Sequence, residues 1–223
     1  MTTAAGVRRT PQPVRIAIGP RSLNGDLAVP AKPIGLVIFA HGSGSSRLSP
    51  RNRYVADVLD QHRLATLLID LLTPEEEIVD DRTARLRFDI GLLAERLIAI
   101  AERTAEVPAR HKLAIGLFGA STGGGAALVA AAERPEMFGA IVSRGGRPDL
   151  AGPALPRVTA PTLLIVGGAD EPVIELNEQA MRQMRCETRL EIVPRATHLF
   201  EEPGALERVA DLAADWFERH LPA

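Results

Sequence analysis

Short runs of consecutive aliphatic residues recur along the chain and alternate with segments that carry apolar residues at helical spacing. A strand covered on one face alternates apolar with polar residues, so unbroken runs indicate strands that are buried on both faces. The runs occupy residues 34–40, 64–69, 112–118, 139–142 and 162–166, with a shorter run at 190–193, and the helical segments are 52–62, 85–105, 122–132, 175–185 and 202–220. Because strands that alternate with helices form crossover units, the pattern predicts an α/β fold with a mainly parallel sheet between two layers of helices.

The N-terminal region has a different character. Residues 1–13 are small and polar and predict a flexible end, whereas residues 14–223 predict one domain of ordinary size. Residues 14–18 alternate like a half-buried strand, and Asn24-Gly25 is a typical turn dipeptide ahead of residues 26–29. The sequence therefore predicts a hairpin that turns at Asn24-Gly25 and precedes the parallel sheet.

Composition and charge exclude several classes of protein. The formal charge of −2 and the aromatic content of 4% argue against a nucleic-acid partner, which needs a basic surface or stacking rings. The single cysteine, Cys186, excludes a disulfide framework within the chain, and no clustered His/Cys spacing predicts a metal site. With neither a secretory signal nor an apolar run of membrane-spanning length, we expect a cytoplasmic protein, monomer or homodimer, that has no membrane partner.

The residues directly after the run at 112–118 read GASTG, from Gly119 to Gly123. G-x-S-x-G between a buried strand and a helix is typical of a nucleophile elbow, whose strained backbone lifts the serine hydroxyl above the sheet edge. A turn this tight leaves no room for side chains at its two glycines. Ser121 is also expected at the start of a helix, where free amides favour negative charge. A phosphate-binding loop is the rival interpretation, but a Walker loop needs a lysine at its end, and this segment has none.

A serine hydroxyl needs a general base within hydrogen-bond reach, and the base needs a carboxylate that fixes its tautomer. His198 follows the last predicted strand and Asp170 follows the strand at 162–166, so both are expected at the sheet edge that carries Ser121. Glu171 is the alternative carboxylate. The chain order Ser121, Asp170, His198 is that of α/β-hydrolases and differs from the orders of the two major serine protease classes.

Two backbone amides are expected to hold the negative charge that develops on the substrate oxygen. One is the amide of Thr122, directly after the nucleophile. The other comes from the Gly-rich loop after residues 34–40, with Ser43 as the first candidate and Gly44 as the second. His41, at the start of this loop, is expected to brace the loop and not to act as the base.

Four motifs resemble the α/β-hydrolase superfamily and, within it, the compact dienelactone hydrolase-like proteins: HGSGSS (41–46), GASTG (119–123), GGADEPV (167–173) and ATHLFEEPG (196–204). The resemblance runs from about Val14 to Leu221 and implies a sheet of about eight strands, a Ser/Cys–Asp–His triad and no cofactor. The sequence departs from this family at two points. Dienelactone hydrolases use a cysteine where this chain has Ser121, and the segment between Val142 and Pro161 is too short for the helical lid of many relatives.

Substrate contacts are predicted from residues that flank these loops. Arg144 follows the strand at 139–142, and Phe200, two residues after His198, is the first candidate for an aromatic wall of the acyl pocket. Gly44 lies where its backbone is expected to meet the substrate. Two interpretations stand for the arginines near the loops: they line the mouth and bind an anionic substrate, or they are ordinary surface residues (Arg47, Arg51, Arg53, Arg144 and Arg147).

Together these features predict a serine hydrolase with an open site that cleaves small-molecule carboxylic esters. A lactone or thioester hydrolase, or an acyltransferase, would use the same triad. A non-catalytic binding module on the same fold is the alternative from another class. Such modules usually lack a triad residue, whereas this chain has all three.

Overall fold

The computed structural model describes residues 10–105 and 113–221, and one eight-stranded sheet runs through them. The strands are β1 (Gln12–Ile18), β2 (Arg21–Ala28), β3 (Gly35–Ala40), β4 (Leu64–Ile69), β5 (Ile115–Ala120), β6 (Phe138–Arg144), β7 (Thr162–Gly167) and β8 (Thr188–Val193), in the spatial order β1-β2-β4-β3-β5-β6-β7-β8. β2 pairs antiparallel with β1 and β4, and the strands from β4 to β8 pair parallel. The predicted, mainly parallel sheet is confirmed.

Helices cover both faces of this sheet. They are α1 (Pro50–Gln61), α2 (Pro74–Thr83), α3 (Ile90–Ala105), α4 (Thr122–Glu133), α5 (Glu171–Met181) and α6 (Ala205–His220), with 3₁₀ segments at Leu86–Phe88 and Pro148–Arg157. Every residue of β3, β4, β5 and β7 is buried, as the unbroken aliphatic runs predict. Two clusters of buried apolar side chains form the core, one packed around α3 and α4 and the other around α1 and α6.

The order of the strands determines where loops can open into a cleft. From β3 the chain first crosses to β4 on one side and then returns to β5 on the other side. The loops after β3 and β5 therefore leave the sheet in opposite directions, and the crevice between them is the place where open α/β sheets bind ligands. The loop after β3 carries His41 to Ser46, and the loop after β5 carries Ser121.

The N-terminal hairpin differs from the prediction. Its turn lies at Gly19-Pro20, and Asn24 and Gly25 lie inside β2, where they pair with Arg15 and Val14. The turn dipeptide was misleading because β2 continues to pair with β4 beyond it, so tertiary pairing outweighs the local turn preference. The expected flexible end is also too long, since residues 12–13 belong to β1; residues 1–9 lie outside the described part of the chain.

Two further segments differ from the sequence prediction. The single helix expected over residues 85–105 is divided into the 3₁₀ segment Leu86–Phe88 and α3, and α2 was not predicted at all. The strand expected from Lys112 begins at Ile115, and Lys112 itself lies outside the described residues.

Between β6 and β7 there is only the 3₁₀ segment, so the expected absence of a lid holds. No helix among the described residues has the length and apolar character of a membrane span.

Candidate active site

Ser121 occupies the turn between β5 and α4 in a backbone conformation that side chains rarely adopt, with φ at 51° and ψ at −121°. Such a conformation is strained and persists only where surrounding bonds enforce it. Here the Ser121 amide donates to the carbonyl of Arg144 at 3.3 Å, while the Ser121 carbonyl accepts from the amides of Gly124 and Arg147, each at 3.0 Å. These bonds fix Ser121 at the N-terminus of α4, as predicted for a nucleophile elbow.

Both glycines of the elbow are required by close backbone contacts. A Cβ at Gly119 would lie 2.5 Å from the Cα of Gly124, and a Cβ at Gly123 would lie 2.2 Å from the carbonyl oxygen of Ala40. The second contact shows that Gly123 is needed for the approach of α4 to the end of β3, and not only for the turn itself. The elbow is thereby packed directly against the loop that follows β3.

Asp170 and His198 meet at the same end of the sheet. His198 Nδ1 lies 2.7 Å from Asp170 Oδ2, and the two side chains are 39% and 15% exposed. Backbone bonds join their loops, because the Ala169 amide donates to the Ala196 carbonyl at 2.9 Å and the Gly168 amide to the Val193 carbonyl at 2.8 Å. The alternative carboxylate, Glu171, is exposed in the first turn of α5.

The histidine ring and the nucleophile are linked through the end of β6. A Cβ at Gly145 would lie 3.5 Å from both Cε1 and Nδ1 of His198, and the preceding residue, Arg144, accepts the amide hydrogen of Ser121. Within the described residues the Ser121 hydroxyl forms no hydrogen bond with His198. In free enzymes such bonds are often long and shorten only with substrate, so the arrangement remains compatible with a base at His198.

The two residues expected to hold an oxyanion lie side by side. The Ser43 amide donates to Thr122 Oγ1 at 2.9 Å, and a Cβ at Gly42 would lie 3.1 Å from Ser121 Cβ. Residues 41–46, named the oxyanion loop after their predicted role, are therefore packed on the elbow. Thr122 is buried at the first position of α4, where a backbone amide has no acceptor within the helix. The Ser43 amide is occupied by the threonine hydroxyl, and its role as an oxyanion donor stays a prediction.

His41 braces this loop, as the sequence analysis expects. Its Nε2 accepts the amide hydrogen of Leu71 at 3.1 Å, so Nδ1 carries the ring proton and donates it to the Gly42 carbonyl at 3.0 Å. Burial lowers the pKa of His41, since an enclosed ring loses the hydration that stabilises its charged form. A neutral ring is required here, because only the neutral form can accept a hydrogen bond from Leu71.

A cavity of about 240 Å³ extends from the oxyanion loop towards α2 and the following 3₁₀ segment. Ser43, Gly44 and Thr122 line one side, as expected for Gly44, whereas Leu72, Leu93 and Arg87 on the other side were not predicted. The Asp80 carboxylate holds this wall, accepting hydrogen bonds from the amides of Leu86 and Arg87 and from the Arg87 guanidinium. A capping box between Thr73 and Glu76 starts α2 and is the sequence signal that would have revealed this wall.

Phe200 does not form the exposed aromatic wall that the sequence analysis expects. Its side chain is only 1% exposed, and its ring belongs to the apolar cluster around α1 and α6. The residue adopts a φ of 56°, which turns the chain after His198 inward. The guanidinium of Arg144 lies 5.8 Å from the centre of this ring, so Phe200 supports Arg144.

The arginines near the site differ in their partners. Carboxylates hold the majority: Asp70 binds Arg47, Asp26 binds Arg53, and Asp149 binds Arg147. Among the described residues, Arg51 pairs only with the exposed Glu201, at 3.3 Å. Arg144 is buried, and among the described residues it has no ion pair. Neither alternative for the five arginines therefore holds for the group as a whole.

The described side chains contain no group of three or more His, Cys, Asp or Glu residues that could hold a metal ion.

Known proteins resemble this chain in sequence and in fold. The model of the dienelactone hydrolase family matches residues 56–221. A dienelactone hydrolase from Anabaena variabilis, known from its crystal structure, is 62% identical, with a TM-score of 0.93 over 96% of this chain and 100% of that chain. An α/β serine hydrolase without a lid from Xanthomonas campestris shares the fold, with a TM-score of 0.74 and 19% identity over 99% of both chains.

A curated relative from Mycobacterium tuberculosis carries the name "Putative phosphoribosyl transferase". It is 58% identical over 208 residues, which are 93% of this chain but 46% of the relative. The chain thus spans about half the length of that protein.

Proposed function

Because the chain belongs to the dienelactone hydrolase family, we propose that this hydrolase cleaves carboxylic esters through an acyl-enzyme on Ser121. One observation carries the proposal: the strained Ser121, at the N-terminus of α4, lies at the same end of the sheet as the pair in which His198 Nδ1 is 2.7 Å from Asp170. A nucleophile, a base and a group that orients the base are the parts that acyl transfer needs.

In the proposed reaction, His198 Nε2 takes the proton of the Ser121 hydroxyl while the oxygen attacks the ester carbonyl. The amides of Thr122 and Ser43 hold the resulting oxyanion, which requires Thr122 Oγ1 to release the Ser43 amide. The imidazolium then donates its proton to the departing alcohol, leaving the acyl group on Ser121. Water, deprotonated by His198, attacks this acyl group, and the acid leaves. Asp170 keeps the proton on Nδ1 and stabilises the imidazolium in both steps.

A lactone is a cyclic ester, and the name of the family makes lactones the second candidate substrates. The same steps open the ring, with the alcohol remaining attached to the acid. Ser121 stands where dienelactone hydrolases are expected to have cysteine, so the dienelactone itself is not proposed as the substrate. Transfer of the acyl group to another alcohol would require that alcohol to displace water in the second step.

The transferase name of the mycobacterial relative applies to a protein about twice as long, of which this chain covers 46%. The elbow and the Asp170–His198 pair support ester hydrolysis and supply no reason for phosphoribosyl transfer. We therefore assign that activity, in this proposal, to the part of the relative that the chain does not span.

Replacing Ser121 by alanine tests the proposal directly. We expect hydrolysis of p-nitrophenyl acetate to fall at least about 10³-fold, since the nucleophile is lost, with the far-UV circular dichroism spectrum unchanged. A fluorophosphonate probe should label the wild type at Ser121, as read by peptide mass spectrometry. The matched control is Ser22→Ala on β2, which lies three strands away from β5 in the sheet. Wild-type turnover by Ser121→Ala, or no labelling of the wild type, would contradict the proposal.

A further inference from the structure

Arg144, the last residue of β6, is a buried cation with an unusual environment. The residue is 7% exposed, its Nε is buried without a hydrogen-bond partner, and no described carboxylate forms an ion pair with it. Arg96 is as deeply buried, at 4% exposed, but it donates to the Leu71 carbonyl and pairs with Glu76. A buried charge that lacks such partners destabilises the folded protein, and a bound anion would remove that cost.

The positive charge of Arg51 adds to this cost. Burial and the positive charge of Arg51 lower the pKa of Arg144 to about 10. The carboxylate that accompanies Arg51, Glu201, is 63% exposed at 3.3 Å, and exposed pairs of this kind offset little charge. Within the described part of the chain, Arg51 Nε also has no hydrogen-bond partner. The two guanidiniums therefore leave a local excess of positive charge.

The N-terminus of α1 contributes further positive potential at Arg51. Helix N-termini favour anions, and acidic side chains often occupy the first turn for that reason. In α1 the first turn has no acidic residue and instead contains Arg51, after the capping Ser49 and Pro50. A cation at this position is unfavourable by itself but becomes favourable once an anion lies between the helix end and the guanidinium.

The backbone of Arg144 lies beside the proposed nucleophile. The Arg144 carbonyl accepts the Ser121 amide hydrogen, and a Cβ at the next residue, Gly145, would lie 3.5 Å from the His198 ring. The Arg144 guanidinium lies over Phe200, two residues after His198. These contacts join Arg144 to residues of the proposed site.

We propose that Arg144, together with Arg51 and the N-terminus of α1, binds an anionic group of the ester substrate, and a phosphate in preference to a carboxylate. Two guanidiniums and a helix end match the two negative charges of a phosphate monoester better than the single charge of a carboxylate. The inference deepens the proposed ester hydrolysis and rests on it for the identity of the ligand as substrate.

Three esters of equal chain length test the preference: p-nitrophenyl pentanoate, p-nitrophenyl hemisuccinate and p-nitrophenyl 3-phosphonopropionate. We expect wild-type kcat/KM to rise in that order, and Arg144→Met to reduce the ratio of phosphonate to neutral ester by about tenfold or more, the scale of a lost charge-assisted pair. Arg144→Lys should keep part of the ratio. The control is Arg134→Met, which removes an exposed arginine at the opposite end of α4 that pairs with Glu102.

Inorganic phosphate provides a readout that does not depend on hydrolysis. We expect about 10 mM phosphate to raise the Tm of the wild type and of Arg134→Met more than it raises that of Arg144→Met. In phosphate-free buffer Arg144→Met should have an equal or higher Tm than the wild type, since methionine removes an uncompensated buried charge. A structural arginine would give the opposite result, a clear loss of Tm.

The outcomes separate the two proposals. If the wild type hydrolyses none of the three esters while phosphate still stabilises it through Arg144, the ester function is wrong and the anion site stands. If the neutral ester is hydrolysed and Arg144→Met leaves the substrate ratio and the phosphate shift unchanged, the anion site is wrong. If Arg144→Met does not fold, Arg51→Met, at a side chain 33% exposed, must reduce both readouts for the proposal to survive.

Discussion

Two histidines follow strands of the same sheet, and they differ in their hydrogen-bond partners. The partners suit His198 to the proposed role of base and His41 to support of a loop. His198, after β8, is 39% exposed and faces the Asp170 carboxylate at 2.7 Å. His41, after β3, accepts the Leu71 amide hydrogen at 3.1 Å and donates to the Gly42 carbonyl. A carboxylate stabilises the imidazolium, whereas an amide donor at the second nitrogen forbids it. The partner, and not position at a strand end, decides which histidine can act as a base.

The sharpest test of this division is His198→Ala. We expect kcat for p-nitrophenyl acetate to fall by about 10³- to 10⁴-fold, because the base is lost, while Tm changes little at a partly exposed side chain. Steady-state kinetics and thermal unfolding measure both effects. A loss of only about tenfold would mean that another residue supplies the base. The assignment of the base to His198 would then be wrong.

Asp170→Asn tests whether the carboxylate gives His198 its role. The amide cannot stabilise an imidazolium and favours the wrong tautomer, so we expect a drop in kcat of at least about 10²-fold, smaller than that of His198→Ala. KM should change less than kcat, because Asp170 acts on the transition state through His198. Glu171→Gln is the matched control, since that neighbouring carboxylate is exposed. An equal loss in Glu171→Gln would reassign the carboxylate.

For His41→Leu we expect a larger effect on stability than on catalysis, the reverse of His198→Ala. The variant leaves the Leu71 amide without its acceptor, and an unsatisfied buried donor lowers the free energy of unfolding by about 1–3 kcal/mol. Because the oxyanion loop loses its brace, we expect kcat to fall by about tenfold. His41→Gln, whose amide oxygen can replace the acceptor, should recover part of both. Urea unfolding and steady-state kinetics on the same samples measure both effects. If the stability of His41→Leu is unchanged, His41 does not brace the loop.

The sequence predicted the parts of the molecule that depend on local pattern. Unbroken aliphatic runs indicated the buried strands, and GASTG indicated the elbow, because a strained turn and close packing restrict the residue types. The predicted turn at Asn24-Gly25 was wrong because the pairing of β2 with β4 outweighs the local turn preference. The prediction for Phe200 was wrong, and the role of Arg144 stayed open, for another reason. Which ring is buried, and which arginine lacks a carboxylate, depends on tertiary neighbours that no local pattern encodes.

The smallest expected effect is a difference in pH dependence. Burial lowers the pKa of His41 below the ordinary 6.5, so between the two values the unfolded chain binds a proton that the folded protein refuses. The free energy of unfolding therefore falls as the pH drops below about 6.5, and one such histidine contributes at most about 1.4 kcal/mol per pH unit. Above that pH the contribution is fully retained. His220, whose pKa burial also lowers, adds a slope of the same sign.

Urea unfolding at several pH values between about 5 and 7 can separate these contributions. We expect His41→Gln to have a shallower slope than the wild type, because glutamine does not titrate, while the share of His220 persists. The double variant with His220→Gln should be shallower still. Equal slopes in His41→Gln and the wild type would mean that folded His41 accepts a proton as readily as the unfolded chain. The hydrogen bond from Leu71 would then not enforce a neutral ring, and the physical basis for separating His41 from His198 would be lost.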